Sequence, residues 1–161
     1  MDAIPGDGQN KETESAVYFY TPNFYSLDNF SAHAVRIWDR VFPTAEHAYQ
    51  WKKFSSSQPD VAQKIFEAVS PNEAKNISIA HKDSQSSTWD EEKVAAMEEI
   101  VKAKYEQHAD VRKVLGRTGE RNIFENSPID TFWGIGPEGA GQNMLGKLWM
   151  KIRDEGLGGT V

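Results

Sequence analysis

The chain has 161 residues, of which 39% are hydrophobic and 26% charged, with no cysteine and a formal net charge of −6. This length suits a single domain with a sizeable core, and the lack of cysteine excludes disulfides and thiolate metal sites. No apolar run is long enough to cross a bilayer, the start shows no signal-peptide pattern, and the acidic charge argues against a broad nucleic-acid-binding face. We therefore expect a cytoplasmic protein without a bound metal, since the four histidines and the scattered acids show no metal-ligand spacing.

The N-terminal part begins with a polar segment, residues 1 to 15, that is predicted to be a disordered tail. The folded domain is expected over residues 16 to 156. Its first element is a strand at Val17–Tyr20, which Pro22 ends. The residues from Ala34 to Phe42 are expected to form a hairpin around Asp39-Arg40, although that turn lacks the usual glycine.

The next element is a helix that starts after Thr44, a residue suited to capping, and continues to Phe54. Glu46, Gln50 and Lys53 follow one another at intervals of four and three residues, so they share one helix face. An acid, an amide and an amine on one face suggest a functional site. The alternative is a solvated ion pair, which stabilises a helix by only about 0.3–0.5 kcal/mol.

The remaining chain is mostly helical. Helices are predicted from Asp60 to about Val69, from Pro71 to about Ala80 behind a capping box at Ser70, from Trp89 behind a second capping box at Thr88, and from Asp110 to about Leu115. A strand is predicted over residues 122 to 126, and a last helix follows the glycine-rich segment of residues 130 to 142. This pattern predicts a mostly α-helical α+β single domain.

Two acids have similar positions, because Glu46 and Asp90 each lie two residues after a threonine that is predicted to cap a helix. The free amide groups and the dipole of a helix start favour an ionised carboxylate. Such a group suits the stabilisation of a developing cation or the activation of a water molecule. The alternative is that each acid only stabilises its helix, as acids in a first turn usually do.

The segment from Trp133 to Asn143 combines an aromatic ring with several glycines. A ring can stack on a planar base while backbone amides approach a phosphate or a ribose, and the last helix would direct its N-terminus at an anion. The segment matches neither a dinucleotide fingerprint nor a Walker loop. A glycine-rich turn beside a core tryptophan explains it equally well.

Other polar groups have two interpretations each. Lys53 is either a nucleophilic amine, if desolvated, or a counter-ion of Glu46. Asn29 and Asn143 are either ligands of sugar hydroxyls or ordinary loop and cap residues.

Seven motifs occur in an order that closely resembles the NADAR, or YbiA-like, family. They are Leu27-x-Asn29-Phe30, Thr44 to Phe54, Ser70 to Lys75, Trp89-Asp90, Thr118-Gly119, Asp130-x-x-Trp133-Gly134-x-Gly136 and Gly141-x-Asn143-x-Leu145-Gly146-Lys147. The match covers about residues 17 to 154. The resemblance implies a YbiA-like fold and an N-glycosidase that cleaves the C–N bond between a ribose and a nitrogenous group.

The resemblance also implies a set of site residues and two substrate classes. The catalytic residues would be Glu46, Asp90, Lys53 and Trp133. The substrate contacts would come from Asn29, Phe30, Tyr49, Gln50, Trp89, Asp130, Gly134, Gly136 and Asn143. The substrate would be a phosphoribosylated aminopyrimidine intermediate of riboflavin synthesis or, alternatively, an ADP-ribosylated guanine base in a nucleic acid. No cofactor is implied. A third hypothesis is a sensor that binds ADP-ribose or NAD without cleaving it.

Overall fold

The computed structural model describes residues 11–20 and 24–158. Six α-helices and five short strands are defined in this part of the chain, which confirms the predicted mostly helical α+β fold. These residues form two compact units: one contains the residues up to Asp28 and those from Ala109 onward, and the other contains Asn29–His108. None of the described helices is both long and apolar enough to cross a bilayer.

The first unit contains a three-stranded sheet. Its central strand β2 (Ala16–Phe19) confirms the predicted strand and pairs antiparallel with β1 (Lys11–Glu12) and parallel with β5 (Asn122–Glu125). Strand β1 lies inside the segment that was predicted to be a disordered tail, so the ordered part of the chain begins earlier than predicted. The reason is that the backbone of β1 forms hydrogen bonds with β2. The first ten residues of that predicted tail lie outside the described residues.

Two helices complete the first unit, α5 (Ala109–Arg117) and α6 (Met144–Gly158), and α6 packs on β5. The core of this unit includes Phe19, Leu115, Ile123, Leu145 and Trp149, all at most 1% exposed. The indole Nε1 of Trp149 donates to the carbonyl of Leu27 at 3.0 Å, so the polar edge of this buried ring is satisfied.

The second unit is built around helix α1 (Ala45–Phe54), which packs against α2 (Pro59–Phe66), α3 (Pro71–Ala80) and α4 (Trp89–Gln107). Phe54, Ile65 and Ala74 contribute to a buried apolar cluster of the first three helices. Helix α2 begins at Pro59 and ends at Phe66, so the prediction of a helix from Asp60 to Val69 was wrong at its ends. Proline suits a first helical position because it has no amide hydrogen to lose there.

The predicted hairpin is formed by β3 (Val35–Ile37) and β4 (Arg40–Phe42). Its two turn residues are Trp38 and Asp39, one position earlier than predicted, with φ angles of 51° and 58°. A two-residue turn of this kind needs two residues in the left-handed region, which glycine and asparagine usually supply. The hairpin lies beside α1, because Trp38 stacks on Trp51 with ring centroids 6.0 Å apart.

The start of α1 confirms the predicted cap. The hydroxyl oxygen of Thr44 accepts a hydrogen bond from the backbone amide of His47 at 3.1 Å, and it lies 2.8 Å from Nδ1 of the same histidine. Nε2 of His47 lies 3.0 Å from the carbonyl of Ala68. Because a carbonyl only accepts, Nε2 carries the proton, and burial lowers the pKa of this histidine. His47 is thus a neutral structural residue.

The two predicted capping boxes differ. At the start of α3, Ser70 accepts from the amide of Glu73 at 3.1 Å, and the Glu73 carboxylate accepts from the amide of Val69 at 2.7 Å. At the start of α4, the Thr88 side chain caps no backbone amide and instead donates to the Glu92 carboxylate at 3.0 Å. The prediction of a box at Thr88 was therefore wrong, although the helix begins where predicted.

Candidate active site

The predicted polar face of helix α1 is buried in the second unit. Glu46 is 7% exposed and Gln50 is 4% exposed. Gln50 Nε2 donates to Glu46 Oε1 at 2.6 Å. A hydrogen bond to an ionised carboxylate is short and strong, so the amide fixes the orientation of the acid. This arrangement is not a solvated surface pair, which was the alternative interpretation of these residues.

Lys53 lies on the same helix and is half-buried. Burial lowers the pKa of its ammonium group, while Glu46 raises it by a smaller amount and the charges of three other lysines lower it further. Its Nζ is 4.9 Å from the centroid of the Tyr49 ring. A neutral amine is therefore easier to form at Lys53 than at an exposed lysine, which suits a nucleophile.

The loop that carries Asn29 contacts the start of α1. The carbonyl of Asn29 accepts from the backbone amide of Glu46 at 3.1 Å, and its side-chain Nδ2 lies 3.5 Å from Sδ of Met97. Asn29 is 8% exposed, and the next residue, Phe30, is half-buried. The structure thus brings Asn29, Glu46, Gln50 and Lys53 together in one part of the second unit.

Asp90 has an environment unlike that of Glu46. Its side chain is 87% exposed and accepts a hydrogen bond from Lys93 at 3.1 Å. The preceding Trp89 is buried, and its ring centroid lies 5.3 Å from that of Tyr49. The two acids that look equivalent in the sequence are therefore one buried and one exposed carboxylate. A catalytic role of Asp90 and substrate contacts of Trp89 and Tyr49 stay predictions.

Trp133 belongs to the first unit. The carboxylate of Asp130 accepts hydrogen bonds from the backbone amides of Phe132 at 2.9 Å and Trp133 at 2.7 Å, which holds this turn closed. Trp133 is 9% exposed and packs edge-to-face on Phe132. Asp130 thus orders the backbone that presents Trp133, and the predicted stacking of the indole on a base stays a prediction.

The glycine-rich segment uses its backbone amides internally. The amide of Gly141 donates to the carbonyl of Ile135 at 2.7 Å, and the first amides of α6, those of Met144 and Leu145, donate to carbonyls of the same loop. The prediction that this helix start faces an anion was therefore wrong. Close packing explains a glycine instead, since a Cβ at position 134 would lie 2.7 Å from the carbonyl oxygen of Glu125.

Asn143 also holds the fold together. Its Oδ1 accepts from the amide of Glu125 at 2.9 Å, and its Nδ2 donates to the carbonyl of Ile123 at 2.8 Å, which ties β5 to the start of α6. These bonds give Asn143 a role in the fold, and its predicted contact with the substrate stays a prediction. Gly136 has a φ of 70°, and a Cβ there would lie 2.7 Å from Thr131 Cγ2, so it too is required by the loop.

The second unit contains a buried polar network that was not predicted from the sequence. Lys104 is fully buried on α4, and its Nζ donates to Ser31 Oγ at 2.7 Å. The same oxygen lies 2.7 Å from His33 Nδ1. The available signal was spacing, because Lys104 follows the buried residues Met97 and Val101 at helical intervals on α4.

The hairpin borders a cavity, and the described residues hold no metal-binding cluster. A cavity of about 490 Å³ is lined by the hairpin residues Arg36–Val41, none of which was predicted to be functional. Within residues 11–20 and 24–158, no group of three or more histidine, aspartate or glutamate side chains is arranged to hold a metal ion.

The chain is similar to known proteins over most of its length. An N-glycosidase of Nostoc punctiforme is 39% identical over 86% of this chain and 91% of its own length. The N-glycosidase YbiA of Escherichia coli is 31% identical over 83% of this chain and 86% of its own. A riboflavin biosynthesis protein of Vibrio vulnificus is 31% identical over 92% of this chain, which spans 41% of that protein.

Structural comparison agrees with these similarities. The NMR structure of E. coli YbiA matches with a TM-score of 0.79 and 28% identity, covering 92% of this chain and 89% of that one. The family model described as the NADAR domain matches residues 10–155. The chain therefore belongs to the NADAR family.

Proposed function

We propose that this protein is an N-glycosidase that hydrolyses the C–N bond between ribose and base in phosphoribosylated aminopyrimidine intermediates of riboflavin synthesis. The observation that carries the proposal is the Glu46 carboxylate, which is 7% exposed and held at 2.6 Å by Gln50 on the helix that also carries Lys53. A buried carboxylate in a fixed orientation is a means of stabilising positive charge that forms next to it.

The chemistry of this bond calls for such a group. As the bond from the sugar C1′ to nitrogen breaks, its electron pair goes to nitrogen and positive charge develops on the ribose ring, as in sugar hydrolysis. The carboxylate of Glu46 faces that charge and accepts a proton from the attacking water. Water oxygen bonds to C1′ and the nitrogen takes up a proton, so the products are a free sugar and a free amine.

The other predicted catalytic residues have narrower roles in this proposal. Lys53 binds a phosphate or hydroxyl oxygen of the substrate as an ammonium group, or attacks the opened sugar aldehyde as a neutral amine; its lowered pKa favours the second role. Trp133 belongs to the other compact unit, so its stacking on the base is not used in this proposal. Asp90 is exposed, so we assign the carboxylate chemistry to Glu46.

The choice of substrate is supported by the relatives and by charge. Two relatives are named N-glycosidases and one is named a riboflavin biosynthesis protein. The net charge of −6 favours a small substrate over a nucleic acid, although a single extruded base needs little basic surface.

The test is hydrolysis by the purified protein of two substrates side by side, the phosphoribosylated aminopyrimidine and an oligonucleotide that carries ADP-ribosylated guanine. Release of ribose 5-phosphate from the first is expected. Glu46→Gln should lower turnover at least ~100-fold with little change in melting temperature. Glu91→Gln is the matched control, since it makes the same change at an exposed first-turn position of α4 and should stay within about twofold of wild type.

Other results would point elsewhere. Release of ADP-ribose from the oligonucleotide alone would replace the proposed substrate with ADP-ribosyl-guanine. Binding of ADP-ribose without product from either substrate would make the protein a sensor. A large loss of melting temperature in Glu46→Gln with a small loss of turnover would return Glu46 to a structural role.

A further inference from the structure

Two buried amide oxygens in the second unit have no hydrogen-bond partner among the described residues. They are Oδ1 of Asn29 and Oε1 of Gln50, on side chains that are 8% and 4% exposed. Nearly all buried polar atoms in folded proteins are paired, so unpaired ones call for a specific explanation. Two of them beside the candidate catalytic acid indicate partners that arrive with a ligand.

The positions of both oxygens are fixed by contacts around Glu46. Gln50 must direct its NH₂ group at the carboxylate, 2.6 Å away, because the reverse orientation would place two acceptors in contact. Asn29 directs its side-chain NH₂ group at Met97 Sδ. Its backbone carbonyl, not Oδ1, accepts a hydrogen bond from the backbone amide of Glu46. Each side chain therefore offers a neutral acceptor, one on the residue that binds the Glu46 carboxylate and one on the residue that binds the Glu46 backbone amide.

Such a set selects hydrogen-bond donors. It pairs with O–H or N–H groups and disfavours phosphate and carbonyl oxygens, which only accept. If Glu46 faces the glycosidic carbon, as the proposed function requires, the nearest donors of the substrate are the ribose hydroxyls, above all the one on the neighbouring carbon. We infer that Asn29 and Gln50 recognise the ribose hydroxyls and make the enzyme select ribosides over deoxyribosides. This inference rests on the proposed function for the placement of the sugar.

The test is equilibrium binding of 1,4-anhydroribitol 5-phosphate, a ribose ring with neither base nor leaving group, and of its 2-deoxy and 3-deoxy analogues. Wild type should bind the full ring at least ~10-fold more tightly than a deoxy ring, because the analogue leaves a buried acceptor unpaired. Asn29→Ala should bind the full ring ~10-fold more weakly and at least one deoxy ring unchanged. Asn76→Ala, at an exposed asparagine of α3, is the matched control and should leave all affinities unchanged.

Each alternative outcome has a distinct meaning. Equal binding of all three rings by wild type would overturn the inference, as would an equal loss for all rings in Asn29→Ala, since that result indicates a structural role. Binding that instead requires a base with N–H donors would transfer the recognition from the sugar to the base and also overturn it. Ring binding needs no turnover, so hydroxyl selectivity without hydrolysis would refute the proposed function while supporting the inference.

Discussion

Gly146 is the third residue of α6. The helix approaches β5 so closely at this position that only a glycine fits. A Cβ at this position would overlap the carbonyl oxygen of Ile123 and lie 2.5 Å from both terminal atoms of the Asn143 side chain. Those atoms form the hydrogen bonds that tie Asn143 to β5. Gly146→Ala must therefore displace either the strand or the asparagine.

The expected magnitude follows from the contacts that would be lost. Each of the two Asn143 hydrogen bonds contributes about 1 kcal/mol, and overpacking adds about 1–3 kcal/mol. The better helix propensity of alanine returns up to about 1 kcal/mol. The free energy of unfolding should fall by about 2–4 kcal/mol, which corresponds to a melting temperature roughly 5–15 °C lower in a chain of this size.

The assay is thermal and urea denaturation of Gly146→Ala beside Gly116→Ala. Gly116 lies near the end of α5, and a Cβ there would meet no atom within 4 Å. Gly116→Ala should therefore be neutral or raise the free energy of unfolding by up to about 1 kcal/mol. Equal changes in the two variants would refute the steric argument, because helix propensity alone would then account for both.

Two other predictions concern buried polar groups. Lys53→Met should leave the melting temperature at pH 7 unchanged or higher, because burial lowers the pKa of Lys53 and so disfavours its charged form in the folded state. The unfolded chain binds the Lys53 proton more tightly than the folded chain, so the free energy of unfolding of the wild type should rise with pH toward the ordinary lysine pKa. The difference in stability between the wild type and Lys53→Met should therefore become smaller as the pH rises. Urea denaturation between about pH 7 and 9.5 measures this difference, and a variant that is less stable than the wild type at every pH would contradict the prediction. Ser31→Ala should lower the free energy of unfolding by about 1–3 kcal/mol, because Lys104 and His33 both lose a hydrogen-bond partner. Urea denaturation measures this change. A change below about 0.5 kcal/mol would show that the network contributes little to stability.

Features that depend on local chemistry were predictable from the sequence. The start of α1 follows from Thr44, whose hydroxyl reaches an amide three residues later, and the start of α3 follows from Ser70 in the same way. The shared face of Glu46, Gln50 and Lys53 follows from helical spacing alone. These predictions were correct because each depends on residues within one or two helical turns.

Features that depend on backbone conformation or distant packing were not predictable. Thr88 resembles a cap in the sequence, but its φ of −102° and ψ of 11° differ from the extended backbone of Thr44 and Ser70, and its hydroxyl caps no amide. The contrast between buried Glu46 and exposed Asp90 also has no local cause. It depends on which segments of the second unit cover each helix start.

The polar groups of the candidate site are held in a state that does not favour the stability of the free protein. Asn29 and Gln50 keep buried acceptors unpaired, and Lys53 keeps an amine where burial disfavours its charge. A core selected for stability alone would place apolar side chains at such positions, because an unpaired buried acceptor lowers stability by about 1–3 kcal/mol. In the proposed function, the two acceptors bind the sugar hydroxyls and Glu46 stabilises the developing cation without rearranging, which is the electrostatic advantage of a preorganised site. The combination of burial, fixed orientation and missing partners is therefore the physical argument for catalysis at Glu46, and it is independent of the resemblance to other family members.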